Sequence, residues 1–246
     1  MIMTKIKNYI KSELKDFSLL LSNIPAVSLS LFIVAVILSN LLANKTILQL
    51  DWIALDAGIV ISWLSFMSMD VITKHFGPKA STKISIFATF INLLVCGIFY
   101  IVSIIPSTAD DYTVFNTIFG GCWFILLGSS IAFIASAFIN NFLNWGIGTM
   151  FEKHPNGKLA YVTRTYISTA VGQFCDNLIF STIVFMFFAP IYWDGFHWTF
   201  LQCFMCSLTG AVIELVFEIL FSPIGYRITK KWRENKVGEQ YLANQF

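Results

Sequence analysis

Charge is scarce in this sequence. Only 12% of its 246 residues are Asp, Glu, Lys or Arg, whereas 57% are hydrophobic. A soluble domain usually has about 25% charged residues, and here the apolar residues occur in long blocks instead of alternating with polar ones. These two features exclude an ordinary soluble protein and indicate an integral membrane protein.

Motifs that carry enzyme chemistry are also missing. The sequence has no Walker A loop, no dinucleotide-binding glycine motif, no zinc-binding histidine pattern and no Gly-x-Ser-x-Gly elbow. Cys203 and Cys206 have the spacing of a metal or redox pair, but no second pair accompanies them. We therefore interpret the five cysteines as small buried apolar residues. We expect no cofactor and no metal, and we rank an enzyme below a transporter.

Six apolar segments are long enough to cross a bilayer, which takes about 20 residues for roughly 30 Å of hydrocarbon. They lie near 24–44, 56–73, 84–105, 119–146, 165–190 and 198–222. The second is short and rich in serine, so we expect it to pack inside the bundle. The sequence predicts an all-α integral membrane protein with six transmembrane helices.

The basic residues are divided unevenly between the two sides of such a bundle. Fifteen of the 16 lysines and arginines fall in the two terminal tails, the 2–3 loop and the 4–5 loop, and only Lys45 lies on the other side. The positive-inside rule then predicts that both termini are cytoplasmic.

The N-terminal segment is basic and amphipathic. Residues 3–21 place apolar side chains on one helical face and lysines elsewhere, which predicts a short helix lying on the inner membrane surface. No cleavage site follows the basic start, so we do not expect a signal peptide. The predicted units are a cytoplasmic amphipathic segment at 1–23, a six-helix transporter domain at 24–225 and a basic cytoplasmic tail at 226–246.

Polar residues recur inside the predicted spans. Asp176 lies near the middle of the fifth span, where a carboxylate costs at least about 2.5 kcal/mol. Gln173 and Asn177 are close to it in sequence, and Glu214 and Glu218 lie one turn apart on the sixth span. The other spans contribute Asn40, Asn44, Asp56, Asp70, Asn140, Asn141 and Asn144. These side chains are predicted to converge on one interior cavity.

Structural roles are the alternatives to ligand binding. Asp176 could pair with Arg164 or a lysine, and the two glutamates could neutralise Lys74 or cap the inner surface. Asn40 and the isolated serines could join helices through hydrogen bonds. Trp63 could stack on a flat ligand or simply pack against its neighbours.

Several stretches resemble a known family. The segments LSNLLANK (38–45), DAGIVISWLSFMSMDVITKHFG (56–77) and RTYISTAVGQFCDNLIF (164–180) are similar to the vitamin uptake transporter family, the queuosine-precursor transporters of bacteria. The most specific pattern is Arg-x3-Ser-x4-Gln-x2-Asp-x3-Phe. It is met by Arg164, Ser168, Gln173, Asp176 and Phe180.

Two shorter patterns of the same family are met by Asp70 with Gly77 and by Pro223 with Tyr226. The resemblance implies six spans and uptake of 7-deazaguanine bases without a built-in ATPase. The guanine-like edge of such a base offers N–H donors that carboxylates accept well.

The sequence departs from the family pattern at three positions. Lys74 stands where the family usually has glutamate, Glu214 stands where it usually has lysine, and Trp63 replaces a proline. The first two departures look like a charge exchange. We expect them to preserve an ion pair between the second and sixth spans if the two residues meet.

The residues predicted to bind the base fall on five of the six spans. They are Asp176, Gln173, Glu214, Asn177, Trp63, Asn44, Phe180 and Asn141. Asp70, Lys74, Arg164 and Glu218 are predicted structural or gating charges.

The expected function is import of queuosine precursors such as preQ0, preQ1 or queuine across the bacterial inner membrane by a multi-pass transporter. Its expected partners are the base and the lipid bilayer, not nucleic acid, and a homo-oligomer or a separate energising module stays open. One alternative is a substrate-capture subunit of a multi-component vitamin importer. Another is a membrane-embedded acid/base enzyme that uses Asp176 with Glu214 and Glu218.

Overall fold

Helices dominate the computed structural model, which describes residues 2–107, 113–150 and 158–244. The helices are α1 (Ile2–Asn23), α2 (Ala26–Leu42), α3 (Ile59–Phe76), α4 (Pro78–Ile104), α5 (Thr113–Gly120), α6 (Cys122–Met150), α7 (Lys158–Ser181), α8 (Ala189–Tyr192), α9 (Phe200–Glu234) and α10 (Glu239–Ala243). A π-helical segment, Thr182–Phe188, joins α7 to α8. The predicted all-α class is confirmed.

A small β-hairpin between α2 and α3 was not predicted. Strands β1 (Thr46–Gln49) and β2 (Ala54–Asp56) pair antiparallel. The Gln202 amide on α9 donates a 2.7 Å hydrogen bond to the carbonyl of Leu50 in the connecting turn. Gln202 also completes the capping box of α9 with Thr199. The hairpin is thereby fixed to the start of α9.

Four helical segments among the described residues are long and apolar enough to cross a membrane. They are Pro78–Ile104, Thr113–Ser136, Ala170–Tyr192 and Phe200–Phe221. The pair formed by α1 and α2 would count as a fifth, although it is bent by 107°. Helix α3 does not reach this hydropathy, because Asp70, Lys74 and several serines interrupt its apolar residues. A multi-pass arrangement therefore agrees with the structure, while six spans stay a prediction.

Helix α3 lies in the interior of the bundle, as its serines suggested. It packs against α2, α4 and α9. Gly77 ends it with a φ of 88°, a conformation that glycine adopts without a steric cost, and Pro78 starts α4 immediately afterwards. This tight turn makes α3 and α4 antiparallel neighbours. Ser85 of α4 accordingly contacts the sulfur of Met69 on α3 at 3.2 Å.

Two larger apolar clusters and one small one make up the core of the described residues. The terminal-helix cluster joins α1, α2, α3, α4, α9 and α10 around Phe76, Trp232 and Tyr241. The hairpin-end cluster surrounds Phe185 and Trp198, whose rings stack with centroids 3.9 Å apart. Four of the five cysteines are buried, as predicted.

The two termini pack together against the turn between α3 and α4. Helix α1 contacts α10, and its Glu13 and Asp16 pair with Lys83 of α4, Glu13 at 2.7 Å. Burial raises the pKa of the Tyr241 hydroxyl on α10. Helix α1 leaves apolar side chains such as Tyr9 exposed, so its interfacial position stays a prediction. Helix α9 (Phe200–Glu234) is unbroken, so the predicted boundary between the transporter domain and the C-terminal tail, at residue 225, falls inside a helix.

Candidate functional site

A cavity of about 360 Å³ lies among α2, α3, α4, α6, α7 and α9. It separates the two apolar clusters, because Phe32 of the terminal-helix cluster and Cys206 of the hairpin-end cluster both line it. Small-molecule sites usually have about 300–1,000 Å³, so this one suits a small ligand. Five residues of the predicted site line it, namely Gln173, Asp176, Asn177, Phe180 and Glu214.

Three carboxylates line this cavity, those of Asp56, Asp176 and Glu214. The lining residues that the structure describes include no lysine and no arginine. Carboxylates accept hydrogen bonds and cannot donate them when ionised. Away from bulk water they also attract positive charge more strongly. The cavity is therefore suited to a ligand that is rich in N–H groups or carries a positive charge.

Asp176 is held by a side chain of the neighbouring helix. The Ser136 hydroxyl on α6 donates a 2.9 Å hydrogen bond to Asp176 Oδ1. Arg164, the alternative partner, lies twelve residues earlier on the unbroken α7, which corresponds to about 18 Å of helix rise. That separation is too long for a direct ion pair. Asp176 is only half-buried because it borders the cavity, so part of its acceptor capacity is open to a ligand.

Glu214 is 3% exposed and is held by a side chain of α7. The Asn177 amide donates to its Oε2 at 3.3 Å, and Ser62 of α3, whose hydroxyl donates to the Ile59 carbonyl, lies nearby. Gly210, one turn earlier on α9, makes room for Asn177, since a Cβ there would lie 2.8 Å from Asn177 Nδ2. Helices α7 and α9 are thus linked at this carboxylate.

Asp56 completes the acidic set at the hairpin end. Its Oδ1 accepts a 2.7 Å hydrogen bond from the backbone N–H of Gly58, which leads into α3. A Cβ at Gly58 would lie 2.7 Å from the Ser39 carbonyl, so glycine allows α2 and α3 to approach closely here. The sequence placed Asp56 at the start of the second span, but we did not assign it to the site.

Amide side chains form the second polar group of the cavity. Gln173 is 5% exposed, and its Oε1 has no hydrogen-bond partner among the described residues. Asn92 of α4 is 1% exposed, and the described residues offer no partner to its Nδ2 or its Oδ1. Sequence reasoning missed Asn92. A signal was present, because Ser85, Thr89 and Asn92 recur at spacings of four and three and share one face of an otherwise apolar helix.

The aromatic walls differ from the prediction. Trp63 is absent from the cavity lining; its ring stacks on Phe217 and Phe221 of α9 at centroid distances of 5.3 and 4.5 Å. Its indole N–H donates to the carbonyl of Val60 in its own helix. These contacts favour the packing alternative for Trp63, and its place in the site stays a prediction. Four phenylalanines supply the apolar walls instead, namely Phe32, Phe66, Phe133 and Phe180.

Asn44 also lies outside the cavity. Its amide donates to the Leu41 carbonyl at 2.9 Å and contacts the Cys122 sulfur at 3.7 Å. Asn40, one turn earlier on α2, lines the cavity instead. Helix α2 ends at Leu42, so Asn44 does not continue the helix face on which Asn40 lies, and its role in binding stays a prediction.

Lys74 and Glu214 lie at different levels along α3. Ser62 lies near Glu214, and Lys74 lies twelve residues further along α3, about 18 Å of helix rise away. The backbone carbonyl of Lys74 accepts a hydrogen bond from Arg233 at 3.3 Å. This separation argues against the expected direct ion pair, which stays a prediction. The side chains of Asp70, Asn141, Arg164 and Glu218 lie outside those that the structure describes, and their roles stay predictions.

Comparison with known proteins identifies the family to which the chain is similar. Residues 56–228 match the family described as "Putative vitamin uptake transporter". The chain is 29% identical over 187 residues to a protein of Bacillus subtilis (strain 168) named "Probable queuosine precursor transporter". This match covers 74% of the chain and 78% of the relative. No solved structure matches the chain. The family match spans well over half of the sequence, and we conclude that the chain belongs to the vitamin uptake transporter family.

Proposed function

We propose that this protein imports 7-deazaguanine bases, the queuosine precursors preQ0, preQ1 and queuine, across the bacterial inner membrane. The observation that carries the proposal is the convergence of Asp56, Asp176 and Glu214 on one small cavity without a lysine or arginine among its described lining residues. The name of the B. subtilis relative supports the same class of substrate.

The chemistry of a 7-deazaguanine fits this cavity. Its 2-amino group and ring N–H groups are donors, and a carboxylate can accept two of them at once. The aminomethyl group of preQ1 adds a positive charge that an acidic cavity favours. The flat ring can lie against Phe66 or Phe180 on the cavity wall. Asp176 has acceptor capacity open to the cavity, since within the described part of the chain Ser136 is the one side chain that donates a hydrogen bond to it.

Transport requires the cavity to open to each side of the membrane in turn. The helices around it offer two weakened points. The Thr182–Phe188 segment after α7 is π-helical, and Pro223 removes one backbone hydrogen bond from the middle of α9. We place both termini in the cytoplasm and six spans in the bilayer, so that α1 lies on the inner surface.

Uptake by cells tests the proposal. A bacterial strain that can neither make nor import queuosine precursors is given the gene, and tritiated preQ1 is followed into the cells. We expect uptake that is saturable, absent with an empty vector and reduced by unlabelled preQ0. If cells with a well-expressed protein take up no more label than cells with the empty vector, the proposal fails.

Two further readouts separate the alternatives. The recovered intracellular base is expected to be chemically unchanged, whereas a membrane enzyme would yield a product of different mass. Purified protein in liposomes is expected to transport by itself. A substrate-capture subunit would instead bind the base and move it only with a partner module.

A further inference from the structure

Asn92 stands out among the residues that line the cavity. It is 1% exposed, and both polar atoms of its side chain are buried without a hydrogen-bond partner. Buried amides in proteins are nearly always hydrogen-bonded, because leaving water without a new partner is costly. Asn92 lines the cavity, so a molecule that fills the cavity can supply hydrogen-bond partners to both of its polar atoms.

Helix geometry places Asn92 level with Ser62 across the contact between α3 and α4. Ser85 of α4 contacts Met69 of α3, and these two helices run antiparallel. Asn92 lies seven residues beyond Ser85, and Ser62 lies seven residues before Met69, so both are two turns from that contact. Ser62 lies near Glu214, so the Asn92 amide and the Glu214 carboxylate lie at a similar depth in the cavity.

The free groups around the cavity are complementary to a lactam. The carboxyl oxygens and Gln173 Oε1 are acceptors. Among the lining residues within the described part of the chain, Asn92 Nδ2 is the one buried side-chain N–H donor without a partner. A ligand that satisfies all of these groups presents several N–H donors and one carbonyl oxygen beside an N–H.

We propose that Asn92 reads the lactam edge of the transported base and is the residue that selects bases with a 6-oxo group. Its Nδ2 donates to the carbonyl oxygen of the base, and its Oδ1 accepts the neighbouring ring N–H. The carboxylates are then left to accept the remaining N–H groups. This assignment rests on the proposed function, because it takes a 7-deazaguanine as the ligand.

A cycle of protein and ligand changes tests the contact. The affinities of wild type and Asn92→Leu are measured for 7-deazaguanine and for 2-amino-7-deazapurine, which lacks the lactam carbonyl and its N–H. We expect the substitution to weaken 7-deazaguanine by about tenfold or more and the analogue by less than about threefold. Equal losses for both ligands, or no loss for either, would overturn the assignment.

Two controls keep the result interpretable. Asn23→Leu removes a partly buried amide outside the cavity and is expected to leave both affinities unchanged. If Asn92→Leu fails to fold by thermal melting in detergent, Asn92→Asp at pH 8 keeps the size of the side chain but replaces the donor with an acceptor. It should weaken 7-deazaguanine alone, and unchanged preference would refute the inference. Wild-type protein that binds neither base would sink the proposed function, and this assignment with it.

Discussion

Replacement of Asp176 by asparagine isolates the chemistry of one acceptor. The side chain keeps its size, but one carboxylate oxygen becomes an N–H donor. Ser136 donates to Oδ1 at 2.9 Å, and an asparagine oxygen can keep that bond. The amide group must then point toward the cavity, where it opposes the N–H donors of the base.

The expected loss of affinity follows from the hydrogen bond that is lost and from the two donors that then face each other. Loss of one charged hydrogen bond together with a buried donor facing a donor costs roughly 2–4 kcal/mol, which is about 30- to 1,000-fold in affinity. Folding should change little, since an amide is cheaper to hold in a membrane than a carboxylate. Arg164 lies about three helical turns earlier on α7.

The assay measures ligand affinity and melting temperature on the same purified variant. Ser136→Ala is the matched control, because it removes the hydrogen bond that positions Asp176 and leaves the carboxylate in place. We expect this control to weaken binding less than Asp176→Asn does. Near-native affinity in a well-folded Asp176→Asn protein would remove Asp176 from the site. A large drop in melting temperature that accompanies the loss of affinity would favour a structural role for Asp176.

Three further predictions follow from individual contacts. Gly210→Ala places a Cβ 2.8 Å from Asn177 Nδ2 and should displace that amide from Glu214, so substrate affinity should fall about tenfold. A well-folded variant with unchanged affinity would show that the contact between Asn177 and Glu214 is not needed for binding. Trp63→Ala removes two stacked ring contacts and should lower the free energy of unfolding by roughly 2 kcal/mol without changing substrate affinity. Lost affinity in a stable variant would show that Trp63 contributes to substrate binding. A cysteine at Asp51, in the exposed hairpin turn, should react with an impermeant maleimide on intact cells, and reaction only after permeabilisation would invert the proposed topology.

The sequence predicted best what depends on one helix alone. Long apolar blocks and their polar interruptions are local properties, so the all-α class and the cavity positions of Gln173, Asp176, Asn177 and Glu214 could be read directly. A carboxylate or amide inside an apolar helix has few places to go, because lipid rejects it.

A single helix does not predict how the helices are set against one another. Trp63 packs on α9 and Asn44 contacts Cys122 of α6, and both contacts depend on the packing of neighbouring helices. The expected pair of Lys74 and Glu214 depends on the axial register of α3 and α9, which no local pattern encodes. Asn92 was overlooked because a lone asparagine in an apolar helix is commonly a hydrogen-bonding contact between helices.

Uptake into liposomes that contain only the purified protein tests the central claim most directly. Tritiated preQ1 is offered outside, and wild type is compared with Asp176→Asn at equal amounts of folded protein. We expect wild type to accumulate preQ1 in a saturable way, and unlabelled 7-deazaguanine to suppress this accumulation. In the Asp176→Asn variant we expect the apparent affinity to be at least about 30-fold lower. Folded wild-type protein that neither binds nor accumulates the base, or a variant that transports it as well as wild type, would contradict it.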